Sequence, residues 1–226
     1  MDQEHGGHYS YALRYAWLNP VYDPVVRWTC REARFKSELV EQAAISPGQL
    51  VLDLACGTGT LTILLKESCP SADVVGLDGS DEILEAARDK AAVAGVSLSF
   101  YNGLSYHMPF EDERFDRVLS SLFFHHLERE HKRGTLAEIN RVLKPGGELH
   151  VADWGKPPNF LFRGAFGLVQ LLDGFETTRD SVAGMLPAFI EDAGFTEVAE
   201  TSRVLTPLGS VSLYRAAKPA ASTGHK

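Results

Sequence analysis

The sequence predicts an α/β protein built on a doubly wound, mostly parallel seven-stranded sheet, and three observations carry that prediction. Short apolar runs alternate with segments of helical periodicity from Leu50 to Ala152. A glycine-rich turn joins the first of these runs to the first such helix, and two further strand-like runs close the chain after the alternation has stopped. Strands that alternate with helices make parallel sheets covered on both faces, and ligands bind beyond the carboxyl ends of their strands.

Taken in order, the stretch from Tyr9 to Ala44 is rich in aromatics and helix formers and reads as helices preceding the core. Ser46-Pro47-Gly48 punctuates, and Leu50 to Leu54 is an apolar run suited to a strand buried on both faces. Leu61, Leu64 and Leu65 recur at helical spacing until Cys69-Pro70 stops that helix. Val74 to Leu77 makes a second strand closing on Asp78. Ser80 caps a helix whose first turn, Asp81-Glu82, suits the positive end of the helix dipole, and Gly95 ends it. Further strands are expected near Leu98 to Tyr101, Arg117 to Ser120 and Gly147 to Ala152, the last introduced by Pro145-Gly146-Gly147, with a helix over Arg133 to Leu143. An apolar segment from Phe160 to Phe175 and a helix near Val182 to Ala193 follow. Strands at Glu197 to Arg203 and Val211 to Ala216 pair antiparallel at the sheet edge. The expected organisation is one domain: N-terminal helices over 1–44, a cofactor-binding core over 45–155, a helical lid over 156–194, terminal strands over 195–217 and a tail over 218–226.

A net charge of −8 argues against a nucleic-acid partner, which needs clustered Lys and Arg. No apolar run is long enough for a transmembrane segment, and the polar start Met1 to His8 lacks a signal-peptide core, so a cytoplasmic location is expected. Cys30, Cys56 and Cys69 form an odd set without zinc spacing, which points to free thiols.

The chemistry begins at Asp53-Leu54-Ala55-Cys56-Gly57-Thr58-Gly59, where the first strand turns into a helix. Gly57 and Gly59 let backbone approach a ligand closely, with helix-terminal N–H groups facing it. Such glycines also serve as plain strand-to-helix turns, so the flanking residues matter. The third glycine of a dinucleotide fingerprint would fall at position 62, which is Thr62, and this disfavours NAD and FAD. Asp53 would repel a pyrophosphate and attract an ammonium or sulfonium, and S-adenosylmethionine carries both. Asp78, at the end of the second strand, is placed to accept hydrogen bonds from ribose hydroxyls.

With these motifs the chain resembles the class I S-adenosylmethionine-dependent methyltransferases, in the branch that contains the quinone-biosynthesis carbon methyltransferases. The resemblance runs from about Gly48 to Asp153 and also rests on Gly76 to Ser80, Met108 to Val118, Phe124-His125-His126-Leu127 and Arg141 to Gly147. It implies a Rossmann-like fold and a site in which Asp53, Ala55, Cys56, Gly57 and Gly59 surround the methionine end. Asp78 would hold the ribose with Gly79 and Ser80 nearby, and Ser121 would contact the cofactor through its backbone. Where the family commonly has Gly-Asp-Ala, this chain has Gly103-Leu104-Ser105, a departure at the adenine contact; Ser105 is one substitute, and Leu104 or Ile83 would pack on the ring.

Methyl transfer requires alignment and exclusion of water, with at most one base. His125, His126, Asp153 and His107 are candidates, and His126 and Asp153 are the residues assigned. Adjacent histidines usually point different ways, so one of the pair would face the methyl group. Tyr15 or Tyr22 would close the site from the N-terminal helices, or simply anchor them. Ser120-Ser121-Leu122-Phe123 lacks the Asn/Asp-Pro-Pro pattern of nucleobase amine methyltransferases, and Asp153 has no neighbouring carboxylate to share a metal, so none is expected. The segment containing Phe160, Leu161, Phe162, Phe166, Leu168, Val169, Leu171, Leu172 and Phe175 is a lid or an ordinary packed helix. As a lid it implies a small apolar acceptor such as a quinol or phenol. A nicotinamide oxidoreductase and a catalytically silent binding module are the competing readings, and the sequence sets no oligomeric state.

Overall fold

A computed structural model of the chain describes residues 31–221. The helices expected before Arg31, and with them Tyr15, Tyr22 and Cys30, lie outside the described residues. Helix α1 (Glu32–Ala43) places Phe35, Leu39 and Ala43 on one face at a spacing of four, all with no exposed surface. Strand β1 (Leu50–Leu54), helix α2 (Thr60–Ser68), β2 (Asp73–Asp78), α3 (Asp81–Ala94), β3 (Ser99–Asn102) and β4 (Phe115–Ser121) follow in alternation. A 3-10 turn at Phe124–His126 leads into α4 (Arg129–Val142) and β5 (Leu143–Trp154). Helices α5 (Phe160–Asp173), α6 (Phe175–Ala183) and α7 (Leu186–Asp192) precede β6 (Thr196–Thr206) and β7 (Gly209–Ala217).

The seven strands lie in the order β3-β2-β1-β4-β5-β7-β6. The pairs from β3 through β5 are parallel, and β7 runs antiparallel to both β5 and β6, which makes the expected terminal hairpin. The winding direction reverses between β1 and β4, so the crevice above their carboxyl ends is the topological switch point. Alternating side chains divide the core between the two faces of the sheet. Leu52, Leu54, Val75, Leu77 and Val118 pack with Leu136 and Ile139 of α4 and Phe189 of α7. Val51, Val74 and Leu119 pack with α1, with Leu61 and Leu65 of α2, and with Phe166 of α5. Each such side chain contributes roughly 1.5–3 kcal/mol by leaving water.

Three boundaries differ from the sequence expectation for identifiable reasons. Strand β5 begins at Leu143 rather than Gly147, because a bulge absorbs Lys144 to Gly147: Phe115 pairs with Leu143 and Arg117 with Glu148. Helix α4 starts a full turn earlier, at Arg129, where its guanidinium reaches Asp180 of α6 at 2.7 Å. The helix expected near Val182 to Ala193 is divided by Gly184 at φ 70°, a conformation that glycine adopts readily. The α6 connection is also fastened from inside, since Lys132, 2% exposed, donates to Asp180 at 3.2 Å and to the Thr177 carbonyl at 2.9 Å.

Candidate active site

The first wall of the site is the turn after β1. Ala55 sits at φ 56°, a left-handed conformation that costs a non-glycine residue about 1–2 kcal/mol, and Gly57 and Gly59 follow at φ 54° and 74°. A Cβ on Gly59 would come within 3.2 Å of the Phe100 ring, so this glycine serves packing. A Cβ on Gly57 would meet nothing within 4 Å, so the space above it is open to a ligand. The Cys56 thiol is turned inward and buried, close to where a Cβ on Gly76 would lie, and burial raises its pKa. Its backbone N–H donates to Leu77 at 3.0 Å, so the residue is occupied in joining the turn to β2.

Asp53 is 1% exposed, and the Thr62 hydroxyl donates to its Oδ2 at 2.6 Å. Its Oδ1 has no hydrogen-bond partner among the described residues. Burial pushes its pKa up to about 6, against the opposing pull of the Thr62 hydrogen bond and the Lys36 charge. Thr62 thus has a positive role that sequence reasoning missed, where it registered only as the absence of a third glycine. At the end of β2, Asp78 is half-buried and braces the same turn: Gly57 N–H donates to its Oδ2 at 2.9 Å and Ser80 N–H to its Oδ1 at 3.1 Å. Burial raises the Asp78 pKa, while the backbone donors work the other way. The Ser80 hydroxyl accepts from Ile83 N–H and caps α3, as expected, which holds Gly79, Ser80 and the half-buried Ile83 at the site's edge.

The opposite wall forms where β4 ends. Ser121 is half-buried in line with Ala152 of β5, and Leu122 takes a left-handed conformation at φ 52° while its N–H donates to the Ala152 carbonyl at 2.8 Å. Ala55 and Leu122 are therefore two strained non-glycine residues at the exits of β1 and β4, the strands that flank the switch point. Strain of this kind persists where surrounding structure enforces it, commonly at ligand sites. What enforces it at Leu122 is Asp153. Its Oδ2 accepts Phe123 N–H at 3.1 Å and His125 N–H at 3.3 Å, and its Oδ1 meets Nδ1 of His125 at 2.6 Å and accepts Trp154 N–H at 2.6 Å. Burial alone would raise the Asp153 pKa, but the His125 charge and hydrogen bond, with the Trp154 N–H, outweigh it and hold the carboxyl below the usual range. At 1% exposure, with both oxygens committed to this turn, Asp153 is placed to hold the loop after β4.

The two histidines do point differently. His125 is 3% exposed and bound to Asp153, whereas His126 presents surface to solvent with its ring 3.9 Å from that of His125. The neighbouring protein, and then the His125 charge, lower its pKa. At the third edge, Leu104 is half-buried and its carbonyl accepts from His107 N–H at 3.0 Å. Ser105 is buried and its hydroxyl is hydrogen-bonded to Thr135 of α4 at 2.8 Å.

Residues 51–147 match the family model described as a methyltransferase domain. Over 190 residues the chain is 36% identical to an uncharacterized methyltransferase of Synechocystis sp., aligning 84% of this chain and 87% of that protein. It is 32% identical over 206 residues to the ubiquinone/menaquinone biosynthesis C-methyltransferase UbiE of Ectopseudomonas mendocina, aligning 82% of this chain and 78% of that one. The chain belongs to the class I S-adenosylmethionine-dependent methyltransferases. A demethylmenaquinone methyltransferase of Thermus thermophilus is 38% identical over 138 residues, with 61% of this methyltransferase aligned to 60% of that enzyme. Solved structures agree on the fold: a putative methyltransferase from Bacillus halodurans superposes with a TM-score of 0.64 at 22% identity, covering 82% of this chain and 99% of that one. A methyltransferase of Aquifex aeolicus gives 0.65 at 19% identity, covering 90% and 97%.

The methyl donor of this methyltransferase is S-adenosylmethionine, and the residues present suit it. An unpartnered oxygen of a buried carboxylate, Asp53 Oδ1, is stabilised by a cation, and the space above Gly57 admits one. Among the described residues, no helix is long and apolar enough to cross a membrane.

Proposed function

We propose that this methyltransferase transfers the methyl group to a small apolar acceptor of quinol or phenol type. The observation that carries the reading is the pairing of the charged wall at Asp53 and Asp78 with the turn at Ser121 to His126, across the switch point. The relatives named as methyltransferases of demethylmenaquinone or of ubiquinone and menaquinone biosynthesis support the acceptor class. Bound S-adenosylmethionine supplies an electrophilic methyl on a sulfonium. Asp53, Ala55, Gly57 and Gly59 form the wall for its methionine end, and the dipoles and charge of this wall favour the cation. Asp78 accepts from the ribose hydroxyls with lone pairs left over from Gly57 and Ser80, beside Gly79 and the Ile83 and Leu104 side chains. Ser121 offers backbone at the methyl end. His126 accepts a hydrogen bond from an acceptor hydroxyl and orients it, while Asp153 acts as a positioning residue through His125 and the turn.

Isothermal titration with S-adenosylmethionine and S-adenosylhomocysteine, on the wild type and on Asp78→Ala, tests the cofactor assignment. Binding that the substitution weakens leads to assays of methyl transfer to short-chain quinols and phenols, and no transfer to any of them overturns the acceptor reading. One observation favours a second reading, a silent binding module: Ser105 is engaged with Thr135 and Leu104 stands at the expected adenine contact. That reading requires no methylation of any acceptor by folded protein.

A further inference from the structure

Helix α5 buries one face and leaves the other open. Phe166 is 1% exposed and meets Trp154 of β5 edge to face at 5.4 Å, and the amide of Gln170 donates to Thr178. On an adjoining side, Phe160, Gly164, Gly167 and Leu171 recur at spacings of four, three and four, which aligns them along one stripe. Phe160 is 90% exposed, and Leu171 and the adjacent Leu161 are each 70% exposed. A Cβ on Gly164 or Gly167 would meet nothing within 4 Å. Beside the stripe, Phe160, Leu161, Phe162, Gly164, Ala165 and Pro207 line a shallow apolar groove. An open apolar stripe on this scale marks a contact surface.

Charge selects the occupant. The whole chain has 30 acidic against 22 basic residues, yet from Trp154 to Leu172, up to Asp173 at the end of α5, it has no acidic residue and two basic ones, Lys156 and Arg163, both exposed and flanking Phe160-Leu161-Phe162, with the Arg163 guanidinium also donating to Gln170 at 2.8 Å. Aromatic and aliphatic side chains bracketed by cations, on a helix with one apolar stripe, suit an interface of acyl chains and negative headgroups. We infer that α5 docks this methyltransferase on an anionic phospholipid bilayer through Phe160, Leu161 and Leu171, with Lys156 and Arg163 against the phosphates. The inference goes beyond the acceptor reading and needs no acceptor for its test.

Co-sedimentation of the full chain with vesicles of phosphatidylcholine containing phosphatidylglycerol, compared with phosphatidylcholine alone, reads the docking directly. The expected result is binding to the anionic vesicles that weakens at high salt, and a loss of ~10-fold or more in partitioning for Phe160→Ser/Leu161→Ser. Leu171→Ser, three stripe positions from Phe160, is expected to weaken it in the same direction. Titration with S-adenosylmethionine reports that each variant is folded and keeps the failure of this inference separate from failure of the methyltransferase reading. Wild-type protein that stays in the supernatant, or serine variants that sediment like wild type, would overturn it. So would light scattering that finds a dimer which Phe160→Ser/Leu161→Ser dissolves, since a second copy would then cover the stripe.

Discussion

Replacing Asp53 by Asn should stabilise the unliganded protein and weaken its hold on S-adenosylmethionine at once. Burial raises the Asp53 pKa from 3.8 to about 6, a shift that at 1.36 kcal/mol per unit corresponds to about 3 kcal/mol. The sign follows from proton counts. Between about pH 4 and pH 6 the folded state binds more protons than the unfolded chain, so stability falls as pH rises through that window and the full cost is present at pH 7. Asn keeps the shape and still accepts from Thr62, but it buries an amide N–H₂ that costs about 1–2 kcal/mol if unpaired. The net gain at pH 7.5 is then about 1–2 kcal/mol, a rise in Tm of roughly 2–8 °C for a chain of this size, shrinking toward zero by about pH 5. A bound cation favours the ionised carboxylate, so wild-type affinity for S-adenosylmethionine should rise between pH 5 and pH 7. In Asp53→Asn it should be flat and weaker at pH 7.5 by roughly 30-fold or more. Thermal melts of ligand-free protein at both pH values, with isothermal titration alongside, make the comparison. A variant that melts below wild type at pH 7.5, or that binds the cofactor unchanged, would refute the assignment of Asp53 as the buried charge awaiting a cation.

Gly57→Ala should fold with a loss of only about 1–2 kcal/mol, from its φ of 54°, but bind the cofactor poorly, because its Cβ meets no protein and enters the ligand's space. Gly76→Ala should do the reverse: its Cβ lies 2.6 Å from the Phe100 ring and 2.9 Å from the Cys56 sulfur, so urea unfolding should show a loss of about 1–3 kcal/mol. Asp153→Ala strips four hydrogen-bond contacts from the loop after β4 and should cost about 3–5 kcal/mol at pH 7. Because the Asp153 pKa is depressed in the folded state, its contribution is present above the unfolded value near 4 and lost as pH falls through the folded value, so the gap to wild type should narrow in acid urea titrations. Asp180→Ala leaves Lys132 buried with its ion-pair partner removed and should cost about 3–5 kcal/mol, and adding Lys132→Met should recover part of that loss in the same assay.

Periodicity and punctuation alone determined the alternation of elements, the strand-to-helix turn at Gly57 and Gly59, the Ser80 cap and the pairing of the last two strands, because these depend on contacts within a few residues. The candidate positions Asp53, Asp78 and Ser121 were legible for the same reason, since each stands within or at the end of an apolar run. Tertiary structure decided which groups are already engaged. Ser105 reads in sequence as a substitute for an adenine ligand, and only the packing of α4 shows its hydroxyl taken by Thr135. His125 and His126 are equivalent letters until β5 brings Asp153 beside one of them, 28 residues away in the chain. The bulge at Phe115 and Arg117 hid the true start of β5 behind a Pro-Gly-Gly signal that usually ends elements. Hydrogen bonding and burial between distant segments depend on how the sheet brings them together, and local patterns carry no information about that juxtaposition.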